Sequence, residues 1–460
     1  MTTEPARGNV LEEQIGQWRG FVRRRQAISA PDIEEMEDHL REQIADLESS
    51  GLDSEEAFLV AVKRMGNLDA VSREFAREHS HRLWKQLVLV PEADGGPGAR
   101  RWRELGVMLA FAVGAGVAVK ILVSAVDDEM ALLRNLPFVV LPFLAGWFAW
   151  KSRAPWRVCA VTAALAAVPA LAVNLYPFTQ TPGPYPAPGM TEVLAFTHAP
   201  VLLWLLAGVL HTGGRWRSHE QRMDYVRFAG ELAMYLALLA LGSMVLLGLT
   251  AAVLSLAGVD LEPFMEDWLL PFGVPGALLV AAWLVEAKKS VVENIAPVLT
   301  RVFTPLALLM LVADLVVLLV NGPLTTVDRE LLIIMDAVLV LVLFLLLYSI
   351  SARDPLAPTG IFDWLQLALV GAALAVNAVA LTAMLTRIAE FGFTANKTAA
   401  LGLNLVLLVH LAWSAWLLLG FVRGRRPFTA VERWQTAYLP VYAVWAAVVV
   451  LVFPPMFAFA

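Results

Sequence analysis

The chain has 460 residues, of which 58% are hydrophobic and only 17% charged, and its formal net charge is −6. Soluble globular proteins carry about 45–50% apolar and about 25% charged residues, so most of this chain is excluded from that class. There is no clustered basic face, so no direct nucleic-acid contact is expected, and the single Cys159 excludes a disulfide framework or a thiolate metal site.

The averages hide a split. Roughly a third of residues 1–103 are charged, against roughly 12% of the remainder. This divides the chain into a cytoplasmic helical domain (1–82), an amphipathic segment and linker (83–104) and a transmembrane helical domain (105–460). The first hundred residues lack a basic start followed by a short apolar core. No cleavable signal peptide is therefore expected, and the first span acts as an uncleaved insertion signal.

Within the first domain, Leu11, Ile15, Trp18 and Val22 line one face of a helix over residues 9–27. Ser29 reads as an N-cap, with Pro31 in the first turn and Asp32 at the capping-box position. The helix that follows carries Ile33, Met36, Leu40, Ile44 and Leu47 on one stripe and ends at Gly51. Asp53, with Glu56 three residues on, opens a third helix from Ser54 to Met65, stopped by Gly66. A fourth runs from Leu68 to about Glu78, with Leu68, Val71 and Phe75 apolar. Four short amphipathic helices bury one small core, and some 80 residues is close to the lower limit for an independent domain. Residues 83–90, with Trp84 and Lys85, are predicted to lie along the membrane surface, and 92–98 (EADGGPG) form a flexible linker.

Eleven apolar stretches follow, each long enough for a bilayer core of about 30 Å. They lie near 105–126, 131–150, 155–176, 192–211, 229–257, 267–287, 302–321, 330–350, 361–386, 398–420 and 436–457. Lysine and arginine bias orients them. With the N-terminus inside, the inner loops hold fifteen such residues and the outer side four: Arg134, Arg329, Arg387 and Lys397. The outer loops carry acids (Asp127, Asp128, Glu129; Asp260, Glu262, Glu266, Asp267) or the uncharged PFTQTPGPYPAPG. The expected location is the bacterial cytoplasmic membrane, N-terminus cytoplasmic and C-terminus outside.

An ionisable group inside a span costs about 2.5–3.5 kcal/mol on insertion scales, so each needs a reason. Asp314 and Asp336, on consecutive antiparallel spans, both fall about 10 Å below the outer surface. Asn377 and Asn404 lie at similar depth in the ninth and tenth spans, and His410 sits two turns below Asn404. One reading is a polar cavity that binds an ion, a proton or a small polar ligand, in which paired carboxylates let one carry a proton. The other is a hydrogen-bonded network that fixes helix packing. Elsewhere, Lys120 is expected to snorkel, Glu231 to open the fifth span, and the tryptophans to anchor span ends. Cys159 is expected to be a buried thiol, and His211 and His219 to be solvated surface flanking a basic loop. Gly392 is a turn residue, and Thr394 or Asn396 caps the tenth span.

No GxxxxGK[ST], HExxH, GxSxG or CxxC motif occurs, and no inverted repeat is evident. No cofactor or metal site is expected, and the chain reads as non-enzymatic.

Two segments carry a resemblance. IEEMEDHLREQIADLESSGLDSEEAFLVAVKRMGN, Ile33 to Asn67, with its acidic–His–Leu run followed by EEAF and RMGN, resembles the permease-prefix (HAAS-type) helical domain over about residues 10–80. That resemblance implies a cytosolic protein partner, since such domains often accompany PadR-like transcription regulators. The export-type relatives carry a large extracytoplasmic domain and a separate ATPase; this chain has no such domain. From ARDPLAPTGIFDWLQ through RIAEFGFTANKTAALGLN to ERWQTAYLPVYAVW, roughly residues 230–457, the sequence is similar to an uncharacterised bacterial multi-pass membrane family, which implies a fold and a location but no site. The expectation is a membrane regulator or sensor that relays a membrane or ligand signal to a soluble partner. The alternative is a secondary transporter or channel using the intramembrane carboxylates. The bilayer is a partner in either case, and oligomerisation stays open.

Overall fold

The computed structural model describes residues 11, 12, 15, 30–50, 52–64, 97–181, 187–258, 260–287, 289–320, 329–355 and 357–460. They form an all-α protein with a polytopic helical bundle. The chain divides into two compact units, residues 1–99 and 100–460.

In the first unit, α1 (Ala30–Ser49) and α2 (Ser54–Arg64) form an antiparallel pair. Leu40, Ile44 and Leu47, three and four residues apart, bury one stripe of α1 against Ala57 and Ala61 of α2. Ile15 is 2% exposed and completes this core, with Leu11, Leu52 and Phe58 packed around it. The backbone of Asp53 begins α2 by accepting from Ala57 N at 2.8 Å. The predicted helix at 68–78, the segment at 83–90 and most of that at 9–27 fall outside the described residues.

Among the described residues, the second unit holds eleven helices long and apolar enough to cross a membrane. In chain order they are α3 (Pro97–Ala125), α4 (Glu129–Ser152), α5 (Trp156–Leu175), α6 (Met190–His211), α7 (His219–Leu256), α8 (Leu270–Ala287), α9 (Lys289–Val320), α10 (Arg329–Ser351), α11 (Ile361–Phe391), α12 (Ala395–Val422) and a final span made of α13 (Phe428–Ala437) and α14 (Leu439–Leu451). A short turn, α15 (Phe453–Met456), follows. A helical turn at Glu262–Phe264 and a π-helical turn at Met265–Leu269 lead into α8.

Local chemistry sets the ends of these helices. Asp128 caps α4 by accepting from Ala131 N at 2.8 Å, and Ser218 caps α7. Gly392, at φ 72°, makes the left-handed turn that reverses the chain between α11 and α12, a conformation L side chains resist. Thr394 stands at the N-cap position of α12, where its hydroxyl donates to Asn396 Oδ1 at 2.6 Å. Pro137, Pro142, Pro169, Pro200 and Pro275 lie inside helices, a placement that membrane spans tolerate.

Two cores organise the bundle. One gathers α3, α4, α6, α7 and α8 around Trp147, Phe148, Phe228 and Leu279. The other gathers α7 and α9–α14 around Leu311, Leu339, Leu346, Val370 and Leu407. Gly402 lets the Trp445 ring lie directly on α12, since a Cβ there would overlap the indole. On the acidic-loop side, Gln180–Thr181 pairs antiparallel with Ala187–Pro188. The carbonyls of Phe459 and Ala460 accept from Thr179 N and Thr191 N, both at 3.0 Å.

Several expectations are refined or corrected. Lys120 reaches Asp267, 63% exposed, at 2.7 Å and lies over Trp268, which adds a specific partner to the snorkelling expectation. Helix α7 begins at His219, so Glu231 is an interior residue, 4% exposed. His211 is not solvated surface: it packs in an aromatic cluster with Phe148, Tyr225 and Phe228. Not every tryptophan is an anchor, because Trp147 is fully buried, whereas Trp102 and Trp156 are about three-quarters exposed. Cys159 is half-buried rather than buried.

Candidate functional site

Three of the five residues singled out in the sequence are joined by hydrogen bonds. Asn404, on α12, donates from Nδ2 to Asp336 Oδ1 of α10 at 2.7 Å and to its own-turn carbonyl, Ala400 O, at 2.9 Å. Asn377, on α11, donates from Nδ2 to Asn404 Oδ1 at 2.9 Å and to Asn404 O at 3.2 Å. Both asparagines are 0% exposed and Asp336 is half-buried. The interhelical donors therefore point one way, from Asn377 through Asn404 towards the carboxylate.

This polarity has a chemical consequence. Asn404 spends both amide hydrogens, so it cannot turn round and offer its oxygen to Asp336 without losing two bonds. Asp336 forms no ion pair with any described Lys, Arg or His. At the other end, Asn377 Oδ1 is buried with no hydrogen-bond partner. The network thus terminates in one uncompensated carboxylate and one free amide oxygen. Such an end can hold a proton or a small cation; an uncompensated anion at this depth is otherwise costly.

Asp314 is separate. It is half-buried on α9, which packs against α10 and α11, and no hydrogen bond or ion pair joins it to Asp336 or to either asparagine. His410 belongs to a second cluster. Fully buried on α12, it meets the Tyr442 hydroxyl at Nδ1 (2.5 Å) and stacks on Tyr438 with ring centroids 4.7 Å apart. Its carbonyl accepts from Trp434 Nε1 at 3.2 Å. Nε2 lies beside the Gln435 side chain without a hydrogen bond of good geometry, while Gln435 Nε2 donates to Ser414 Oγ at 2.9 Å. This arrangement holds α13 and α14 on α12 and fits the interhelical hydrogen-bond reading of His410.

Sequence reasoning missed the polar links that fasten other spans. Arg353 forms a two-point ion pair with Asp363, at 2.7 and 3.2 Å, and its guanidinium lies 4.8 and 4.4 Å from the Phe421 and Phe428 rings. Arg134 pairs with Glu192 at 2.5 Å and sits over Phe178. Gln366 donates to Ser349, both buried. A charge near a span end is legible, but its partner lies on another helix and no local spacing announces it.

Also missed was a cavity of about 290 Å³ next to the network. It is lined by α6, α7, α10, α12 and α14, with Val340 one turn from Asp336 and with Leu403 and Leu407 flanking the level of Asn404. Among the described residues, no group of three or more His, Cys, Asp or Glu side chains could hold a metal ion. No family model, curated protein or solved structure matches the chain.

Proposed function

We propose that this protein is a non-enzymatic membrane regulator or sensor. Its bundle responds to a proton or small cation at Asp336, and its N-terminal helical unit passes the response to a soluble partner. The observation that carries this reading is the one-way chain Asn377–Asn404–Asp336, which ties three spans to one uncompensated carboxylate. Neutralising or coordinating that carboxylate changes the hydrogen-bonding demand on Asn404, and so the packing of α10 against α12. The division into two compact units supports a receiver and an output module. The permease-prefix resemblance of residues 10–80 favours a cytosolic partner of the PadR-like regulator class. The lysine and arginine bias favours a cytoplasmic N-terminus in a bacterial inner membrane.

A second reading is favoured by the same uncompensated Asp336: a transporter or channel that carries the proton or cation across. One experiment separates them. The full-length protein and Asp336→Asn are cross-linked in cells, recovered in native nanodiscs, and in parallel assayed for ion flux in proteoliposomes. The regulator reading expects a specific soluble protein cross-linked within residues 1–82 and a severalfold change in its yield in the variant. Flux that Asp336→Asn abolishes, with no partner recovered, would replace it with the transporter. Neither partner nor flux would leave the network a packing device.

A further inference from the structure

Arg222, in the first turns of α7, is 8% exposed, yet no described carboxylate pairs with it. Its Nη2 donates to His219 Nδ1 at 3.0 Å, and its Nε is buried with no acceptor. His219 also lies 3.4 Å from Thr436 Oγ1 of α13, and both Arg222 and the exposed Arg433 act electrostatically on the imidazole. Glu432, the acid next to Arg433, faces Arg227 and Arg353 instead. Because His219 Nδ1 accepts from arginine, its proton resides on Nε2, a second free donor. Two arginines and an imidazole N–H therefore converge with no ion-paired anion among the described residues, and a partly buried cation without a counter-charge is costly.

The cavity starts one helical turn away on the same two elements. On α7, Val226 and Ala229 follow Arg222 at i+4 and i+7, and both line it; on the last span, Leu439 follows Thr436 at i+3 and lines it too. It extends along α10 from Tyr348 to Val340, about 12 Å of helix. Its walls are almost wholly aliphatic and aromatic, so water entering it would find few hydrogen-bond partners. Of its lining, Val201 on α6 and Val340 and Phe344 on α10 are exposed on the apolar outer faces of their spans.

We propose that this is a site for one anionic phospholipid, its phosphate held by Arg222, His219 and Arg433 and one acyl chain laid in the adjoining slot. Guanidinium forks suit phosphate oxygens, and basic pockets between spans are a recurrent form of anionic headgroup recognition. The slot supplies the lipid's second signature, since a free phosphate has no use for it.

The test uses the full-length protein in phosphatidylcholine nanodiscs doped with chain-spin-labelled phosphatidylglycerol or, separately, chain-labelled phosphatidylcholine. The motionally restricted fraction reports chain binding. Phosphatidylglycerol is expected to be restricted in preference to phosphatidylcholine. Arg222→Gln or the exposed Arg433→Gln should each weaken that preference about fivefold, with Arg222→Lys restoring most of it. Ala229→Phe, which fills the slot, should release the chain of either lipid. Should Arg222→Gln fail to fold, Arg433→Gln alone carries the charge test. Equal restriction of the two lipids, or no response to either arginine variant, would overturn the headgroup assignment. Displacement of the labelled lipid by inorganic phosphate, with Ala229→Phe silent, would overturn the lipid in favour of a free phosphate site.

Discussion

The two units of this protein invert each other. In the N-terminal unit leucine, isoleucine and alanine are buried and the Arg41–Glu12 pair faces water, at 2.6 Å between side chains 39% and 59% exposed, while the same arginine reaches the buried Glu37 at 2.9 Å. In the bundle the outward faces are leucine and valine, with Leu246 and Leu256 exposed by 66% and 91%, and amides and hydroxyls such as Asn377, Asn404, Ser414 and Gln435 are 0% exposed. The difference teaches what holds each unit together. Water drives the first by expelling apolar surface. Hydrocarbon offers the second no such drive, so close packing and interhelical polar bonds must do it. A polar link should therefore matter more as its surroundings become drier and its partner less replaceable.

The sharpest break of that comparison is Arg353→Met. Arg353 and Asp363 side chains are 9% and 4% exposed, and Asp363 also accepts from Gly360 N at 2.8 Å at the start of α11. Removing the arginine leaves a buried carboxylate with a backbone bond but no counter-charge, a loss of about 3–5 kcal/mol. The measurement is unfolding in mixed micelles. Adding Asp363→Asn, which keeps the amide oxygen for Gly360, should recover a large part of the loss. A single variant as stable as the parent would show that the pair is solvated in the membrane-bound protein.

How far the sequence reached follows from the same inversion. Span existence was legible because twenty consecutive apolar residues have few other solutions, and the stripe Leu40–Ile44–Leu47 was legible because its partner surface is local. The Asp336–Asn377–Asn404 group was visible as polar residues at one depth, since depth follows from distance along a helix. What depth could not supply was azimuth: Asp314 shares the level yet forms no bond with the others, and His410 turns to Tyr442 instead. The start of α7 was misplaced because Arg222 and Arg227 read as loop charge, whereas Ser218 begins the helix ten residues before its apolar run. Partners on other helices, such as Glu192 for Arg134 and Asp267 for Lys120, leave no local periodicity to read.

A middle case is Asn377→Leu. The substitution removes two donors to Asn404 and leaves Asn404 Oδ1 without its bond, while Asn404 keeps Asp336 and Ala400. Interhelical hydrogen bonds in bilayers average about 0.6 kcal/mol with an upper range of about 1.7 kcal/mol. The loss in micelle unfolding should fall in that interval, well below Arg353→Met. A loss as large as that of the ion pair would mean that the amide network, not charge, dominates the bundle.

The Arg41–Glu12 pair marks the wet end of the scale. Its guanidinium is held above the ordinary arginine range by its hydrogen bonds to Glu12 and then Glu37. A cation so raised contributes its stability at every pH below that range and loses it only above, so no loss is expected between pH 5 and 9 from Arg41 itself. Exposed pairs are worth about 0.2–1 kcal/mol, and the screening length shrinks to about 3 Å at 1 M salt. Hydrogen exchange of the amides in residues 37–64 of the full-length protein should therefore show a deficit of this size in Glu12→Gln, which leaves Arg41 paired with Glu37, at low salt, and little difference from the parent at 1 M. Salt should leave the Arg353→Met deficit nearly untouched, because dissolved ions do not enter the space between Arg353, Asp363 and the two phenylalanine rings. If both deficits faded alike, the two pairs would share one dielectric setting and the contrast between the units would fail.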